Sequence, residues 1–180
     1  IRVLLALHVV VLVLLGVVLL TDPERRELDA TTRAELGGSY VTLSDGVTHY
    51  RLTGPPDGPT VVLVHGGTIP MWTWDAQAEA LVGAGFRVLA YDAFGRGYSD
   101  RPDVTYDRAL YRRQLAEITD SLDLSEPFHL VGISMGGGTV VDFTAAHPER
   151  VARLALIAPV VHDYAVPGLF RVPVVGEVAA

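Results

Sequence analysis

The sequence contains no cysteine. Disulfide bridges, cysteine-ligated metal sites and a thiol nucleophile are therefore all excluded. Lysine is absent too, since each of the 14 basic residues is arginine; this is a compositional bias toward Arg, Ala, Val and Gly and carries no chemistry of its own. Positive charge is in short supply. Residues 21–180 hold 13 basic and 21 acidic side chains, a net charge of −8 that argues against nucleic acid as a partner. Internal repeats and low-complexity tracts are missing as well. With 49% hydrophobic and 19% charged residues over 180 positions, the chain has the makeup of a folded domain rather than a disordered one.

The first feature that is present is a long apolar run. Residues 3–20 carry no charge, and only His8 and Gly16 interrupt the aliphatic side chains. As a helix they would extend about 27 Å at 1.5 Å per residue, close to the ~30 Å hydrocarbon core of a bilayer. A cleaved signal would have a shorter apolar region and a small-x-small cleavage site, whereas Leu19-Leu20-Thr21-Asp22-Pro23 follows here. The run predicts a transmembrane signal anchor over residues 1–20, a membrane partner through residues 3–20 and a membrane localisation. Arg2 on one side and Arg25 and Arg26 on the other leave its sidedness open. Residues 21–38, charged and punctuated by Asp22-Pro23 and Gly37-Gly38, read as a linker.

Beyond the linker, Val41 to Leu43 and Val47 to Leu52 flank the turn triplet Ser44-Asp45-Gly46, which predicts a hairpin of two edge strands. Four short aliphatic runs follow: Val61 to Val64, Val88 to Tyr91, Phe128 to Ile133 and Leu154 to Ala158, starting 27, 40 and 26 residues apart. Each is too short for a helix and too continuous for a half-exposed strand. Between them Trp74, Ala78, Leu81 and Val82 share one helical face, and Tyr111, Leu115, Ile118 and Leu122 share another. A third helix after Ser134 ends at His147-Pro148. Strands alternating with helices predict an α/β fold, a mostly parallel sheet flanked by helices.

Gly132-Ile133-Ser134-Met135-Gly136 stands where the third aliphatic run meets its helix, the context that makes a G-x-S-x-G pattern informative. A sharp strand-to-helix turn there would lift the Ser134 hydroxyl above the sheet, with Gly132 and Gly136 giving room to the neighbouring backbone. Ser134 would also sit at a helix N-terminus, where free N–H groups favour developing negative charge. Met135 N–H is then one oxyanion donor. His65-Gly66-Gly67 follows the first aliphatic run directly, and its glycines let backbone approach a substrate oxygen. Gly67 N–H is the second expected donor, ahead of Thr68, with His65 and Gly66 shaping the loop. Asp92 opens the segment through Ser99 and reads as the hydrogen-bonding residue of a structural turn.

In order and spacing, these three motifs resemble the α/β-hydrolase superfamily over residues 39–160. Met71-Trp72-Thr73-Trp74-Asp75 and His147-Pro148-Glu149-Arg150-Val151 look like its esterase and monoacylglycerol-lipase-like branch. A serine at position 134, in place of aspartate, disfavours the dehalogenase and epoxide hydrolase branches. Thr68 and Ile69 intervene before Pro70, unlike the proline iminopeptidase pattern. The resemblance implies an α/β-hydrolase fold, incomplete at the C-terminus, with residues 161–180 starting a cap or lid.

In that superfamily the acid and histidine come well after the nucleophile, and only 46 residues follow Ser134. His147 caps a helix. His162-Asp163 is a poor base and acid, because adjacent residues do not readily point at one another. The chain begins with Ile1 and ends in an apolar stretch, so both termini read as cut, and the acid and histidine are expected beyond residue 180. The implied function is a serine esterase or lipase that needs no cofactor and no metal and forms an acyl-enzyme on Ser134. Its partner would be a small-molecule ester, lipid-like if the anchor and the apolar Val166 to Val175 segment meet a bilayer. A cofactor-free haloperoxidase or C–C hydrolase, or a non-catalytic hydrolase-like binding scaffold, are the alternatives. Residues 1–180 alone are expected to be nearly inactive.

Overall fold

The computed structural model describes residues 2–20, 27–124 and 127–161. The chain divides into two compact units, Ile1–Gly37 and Gly38–Ala180. Within the first lie helix α1, Arg2–Leu20, and helix α2, Ala30–Leu36. Asp29 caps α2 by accepting the Thr32 N–H at 2.7 Å. The membrane anchor expected over residues 1–20 needs correction, because among the described residues no helix is long and apolar enough to cross a membrane. The helix has 19 residues and starts with the charged Arg2, against the ~20 consecutive apolar residues that a full span takes. The expectations of a membrane partner through residues 3–20 and of a membrane localisation lose their basis with it.

The second unit is built on a six-stranded sheet in the order β1-β2-β4-β3-β5-β6. Strands β1, Ser39–Leu43, and β2, Gly46–Thr53, form the hairpin around Ser44-Asp45. Of these two strands β1 alone is an edge, since β2 also pairs antiparallel with β4, Arg87–Tyr91. Strands β3, Thr60–Val64, β4, β5, Phe128–Ile133, and β6, Val151–Ile157, run parallel.

Alternation along the central strands feeds two cores. Val62, Val64, Leu89, Tyr91 and Leu130 pack with α4, Arg108–Ser121, and α5, Met135–Ala146. Val61, Leu63, Val88 and Ala90 pack with the 3₁₀ turn Met71–Trp74 and α3, Asp75–Gly83. The two-sided placement follows from topology. The chain steps from β3 outward to β4, then back past β3 to β5, and right-handed crossovers in opposite directions place their helices on opposite faces. Strand order thus reverses at β3, and the loops after β3 and β5 leave the same end of the sheet, where open α/β sheets have their crevice.

Strand β6 departs from the expectation of full burial. Leu154, Leu156 and Ile157 are 37%, 41% and 45% exposed, because β6 pairs with β5 alone among the described residues. The segment His162 to Ala180, including His162-Asp163 and the expected lid, lies outside the described residues.

Burial at these extremes sets contrasting mutational costs. Phe143→Ala, in the fully buried core, is expected to lower the unfolding free energy by about 3–5 kcal/mol. Leu154→Ala should cost less than about 1 kcal/mol, as its side chain is already partly in water. Urea denaturation of both variants checks the contrast, and equal losses would contradict the assignment of the core.

Candidate active site

Ser134 stands between β5 and α5 with φ 53° and ψ −119°, a conformation that costs a non-glycine residue about 1–3 kcal/mol. Its backbone is held on both sides. The Ser134 N–H donates to Ile157 O at 3.0 Å, and its carbonyl accepts from Val160 at 2.9 Å and Gly137 at 3.0 Å. The turn can be this tight only because its flanks lack side chains. A Cβ on Gly132 would lie 2.5 Å from Gly136 O, and one on Gly136 would overlap the carbonyl oxygens of Val64 and His65.

The loop after β3 runs alongside. A Cβ on Gly66 would sit 3.4 Å from Ser134 Cβ and 3.9 Å from its Oγ, and one on Gly67 would sit 3.6 Å from Met135 Sδ. His65, Gly66, Gly67, Ser134 and Met135 are therefore brought together, while Thr68 is exposed. Met135 opens α5, where the first N–H groups of a helix have no carbonyl one turn earlier to accept them. Beside Met135 lies a cavity of about 680 Å³ whose lining includes Arg96, Tyr106, Tyr111, Thr139 and Val160. Among the described residues no histidine bonds Ser134 Oγ, and no cluster of three or more His, Asp or Glu is placed to hold a metal ion.

His65 is a bracket between loops. Its Nε2 accepts the Ala93 N–H at 2.9 Å, so the ring proton sits on Nδ1 and donates to Gly66 O at 2.6 Å. Burial holds the ring pKa below its usual value, which keeps this neutral form.

Asp92 organises the neighbouring turn. It accepts hydrogen bonds from Met71 N–H at 2.8 Å, Tyr98 N–H at 3.0 Å and His49 Nδ1 at 2.8 Å. Burial acts to raise its carboxyl pKa, but these bonds, His49 first, outweigh burial and hold it below the ordinary carboxylate value. Gly97, at φ +51°, is required there because a Cβ would overlap the carboxylate. Sequence reasoning missed three supports of this turn. His49 arrives from β2, Ser99 Oγ donates to Asp92 O at 2.6 Å, and Gln114 of α4 accepts from Phe94 N–H at 2.9 Å. The pairing of β2 with β4 brings in His49 and the packing of α4 brings in Gln114, while Ser99 closes the turn from within. A polar Gln114 on the mostly apolar buried face of α4 was a sign of the α4 contact.

The chain belongs to the alpha/beta hydrolase fold family, whose model matches residues 59–175. It is 40% identical over 122 residues to a non-heme chloroperoxidase of Streptomyces lividans, covering 67% of this chain and 44% of that protein. It is 36% identical over 121 residues to carboxylesterase YbfK of Bacillus subtilis (strain 168), covering 67% and 40%. A solved hydrolase from Pseudomonas aeruginosa PA01 superposes with a TM-score of 0.69 at 30% identity, over 79% of this chain and 53% of that one. The chain thus spans less than half the length of these two curated relatives.

The depressed Asp92 pKa makes a pH prediction. Its stabilisation is fully present above the unfolded carboxyl value of about 3.9 and is lost as pH falls through the lower folded value. Asp92→Asn should therefore cost about 1.5–3 kcal/mol at pH 7, with the gap to the natural protein closing in acid below about pH 4. Urea melts at both pH values test this, and a gap independent of pH contradicts it.

Proposed function

We propose that the protein is a serine hydrolase that cleaves carboxylic esters of small molecules through an acyl-enzyme on Ser134. The observation that carries this reading is the strained turn that holds Ser134 at positive φ beside the Gly66-Gly67 loop. Ser134 Oγ attacks the ester carbonyl carbon, and the carbonyl electron pair moves onto oxygen, where Met135 and Gly67 N–H groups hold it. Collapse expels the alcohol and leaves an acyl ester on Ser134, which water then hydrolyses. The serine proton passes to a histidine, itself oriented by a carboxylate, and on to the leaving alkoxide, in the chain order nucleophile, acid, histidine. The reaction needs no metal or cofactor. Similarity to a carboxylesterase supports the ester substrate. The lipid-like substrate rested on the membrane anchor and goes with it.

Similarity to a non-heme chloroperoxidase favours a second reading, a cofactor-free haloperoxidase using the same serine and oxyanion loop. Both enzyme readings require an activated Ser134, and a non-catalytic scaffold does not.

Labelling of the full-length natural protein with a fluorophosphonate, followed by peptide mapping, tests the shared requirement. Modification is expected at Ser134 alone, with Ser134→Ala unlabelled and its turnover of p-nitrophenyl acetate reduced by roughly 10³-fold or more. Folded full-length protein that takes up no label would contradict both readings and point to a binding scaffold.

A further inference from the structure

The Gly66-Gly67 segment has no side chains of its own with which to stay in place, yet an oxyanion donor works only if its N–H is already aimed. Its two carbonyls are instead held from outside. Gly66 O is taken by the His65 ring, which is itself fixed by Ala93. Gly67 O accepts the Nε–H of Arg96. The same guanidinium donates through Nη1 to Gly95 O at 2.8 Å, so a planar fork spans two loops.

Arg96 comes from a turn that has little freedom. Its own N–H donates to Ala93 O at 3.0 Å, its carbonyl accepts from Ser99 at 3.2 Å, and Gly95 N–H donates to Asp100 O at 2.8 Å. Two residues of the turn, Gly95 and Gly97, adopt positive φ. The Asp92 carboxylate ties its far side through Tyr98 N–H. Arg96 also lines the cavity that Met135 borders, so the brace sits at the site's wall and not at its periphery.

Resting on the ester-hydrolase reading of Ser134, we propose that Arg96 is a positioning residue for the oxyanion loop: the His65 ring holds Gly66 O, which shares a peptide plane with the Gly67 N–H, and the Arg96 guanidinium holds Gly67 O on the next peptide, so that with both peptides flanking the Gly67 Cα pinned the N–H stays turned toward the developing oxyanion. The Asp92 to Ser99 turn is then a working part of the site rather than a connection between β4 and α4. Loss of the brace leaves the ester free to bind but weakens the grip on the tetrahedral state, so kcat falls and KM does not.

The test uses the full-length natural protein with Arg96→Ala and Arg96→Lys, alongside Ser134→Ala. For Arg96→Ala, kcat on p-nitrophenyl acetate is expected to fall roughly 10- to 100-fold with KM changed less than about twofold, on the scale of losing part of one oxyanion donor. Inhibition by a trifluoromethyl ketone, whose serine adduct places an oxyanion in the hole, should weaken by a similar factor. Arg96→Lys keeps one donor and should recover part of both losses; it also serves as the readout if Arg96→Ala does not fold. An Arg96→Ala protein with unchanged kcat, a loss confined to KM, or folded Lys and Ala variants equally impaired overturns the proposal. A natural protein as inactive as Ser134→Ala overturns the ester-hydrolase reading itself, which separates the two failures.

Discussion

Everything at the candidate site depends on how closely α5 can cross the strands it leaves. Gly132 and Gly136 allow backbone to meet backbone at the turn, and any Cβ at either position would occupy space already filled by a carbonyl oxygen. That proximity bends the chain so sharply that Ser134 must take positive φ. The strain persists because three backbone hydrogen bonds, to Ile157, Val160 and Gly137, over-determine the residue. A side chain displayed in this way is raised from the sheet at the N-terminus of a helix, where its chemistry has N–H groups in reach.

The second dependency is a reversal in strand order. Because the chain returns past β3 to form β5, the loops after these two strands emerge side by side, and the loop after β4 flanks the β3 loop on its other side. Register makes this concrete, since Val64 is level with Tyr91 on one side and Gly132 on the other. His65, Asp92 and Ser134 therefore leave the sheet at one end. Buried polar groups fix these loops to one another: His65 ties its own loop to Ala93, and Asp92 ties its turn to Met71 and His49. The network is fully hydrogen-bonded at Asp92, which is what makes a buried carboxylate tolerable there.

Much of this could be read in the sequence wherever a local pattern reflected a local cause. The continuous aliphatic runs of β3, β4 and β5 reported burial on two faces, and the spacing of Tyr111, Leu115 and Ile118 reported one helical face. The glycines around Ser134 named the elbow because their spacing has a steric reason. What could not be read depended on long-range pairing. His49 reaches Asp92 only through the antiparallel register that sets Tyr50 against Tyr91. Strand β6 has an apolar sequence like its neighbours, but burial is a property of what lies beside a strand, and one flank of β6 is unpaired among the described residues. The apolar run at residues 3–20 shows the reverse failure: hydropathy signalled an anchor, but among the described residues no helix is long and apolar enough to cross a membrane.

The central claim is that Ser134, Met135 N–H and Gly67 N–H converge on one reacting carbonyl. A crystal structure of the full-length protein inactivated with a trifluoromethyl ketone tests it most directly. The account predicts a covalent adduct on Ser134 Oγ whose oxyanion lies about 2.7–3.1 Å from both N–H groups. An adduct oxygen turned away from both, or no adduct on Ser134, would contradict it.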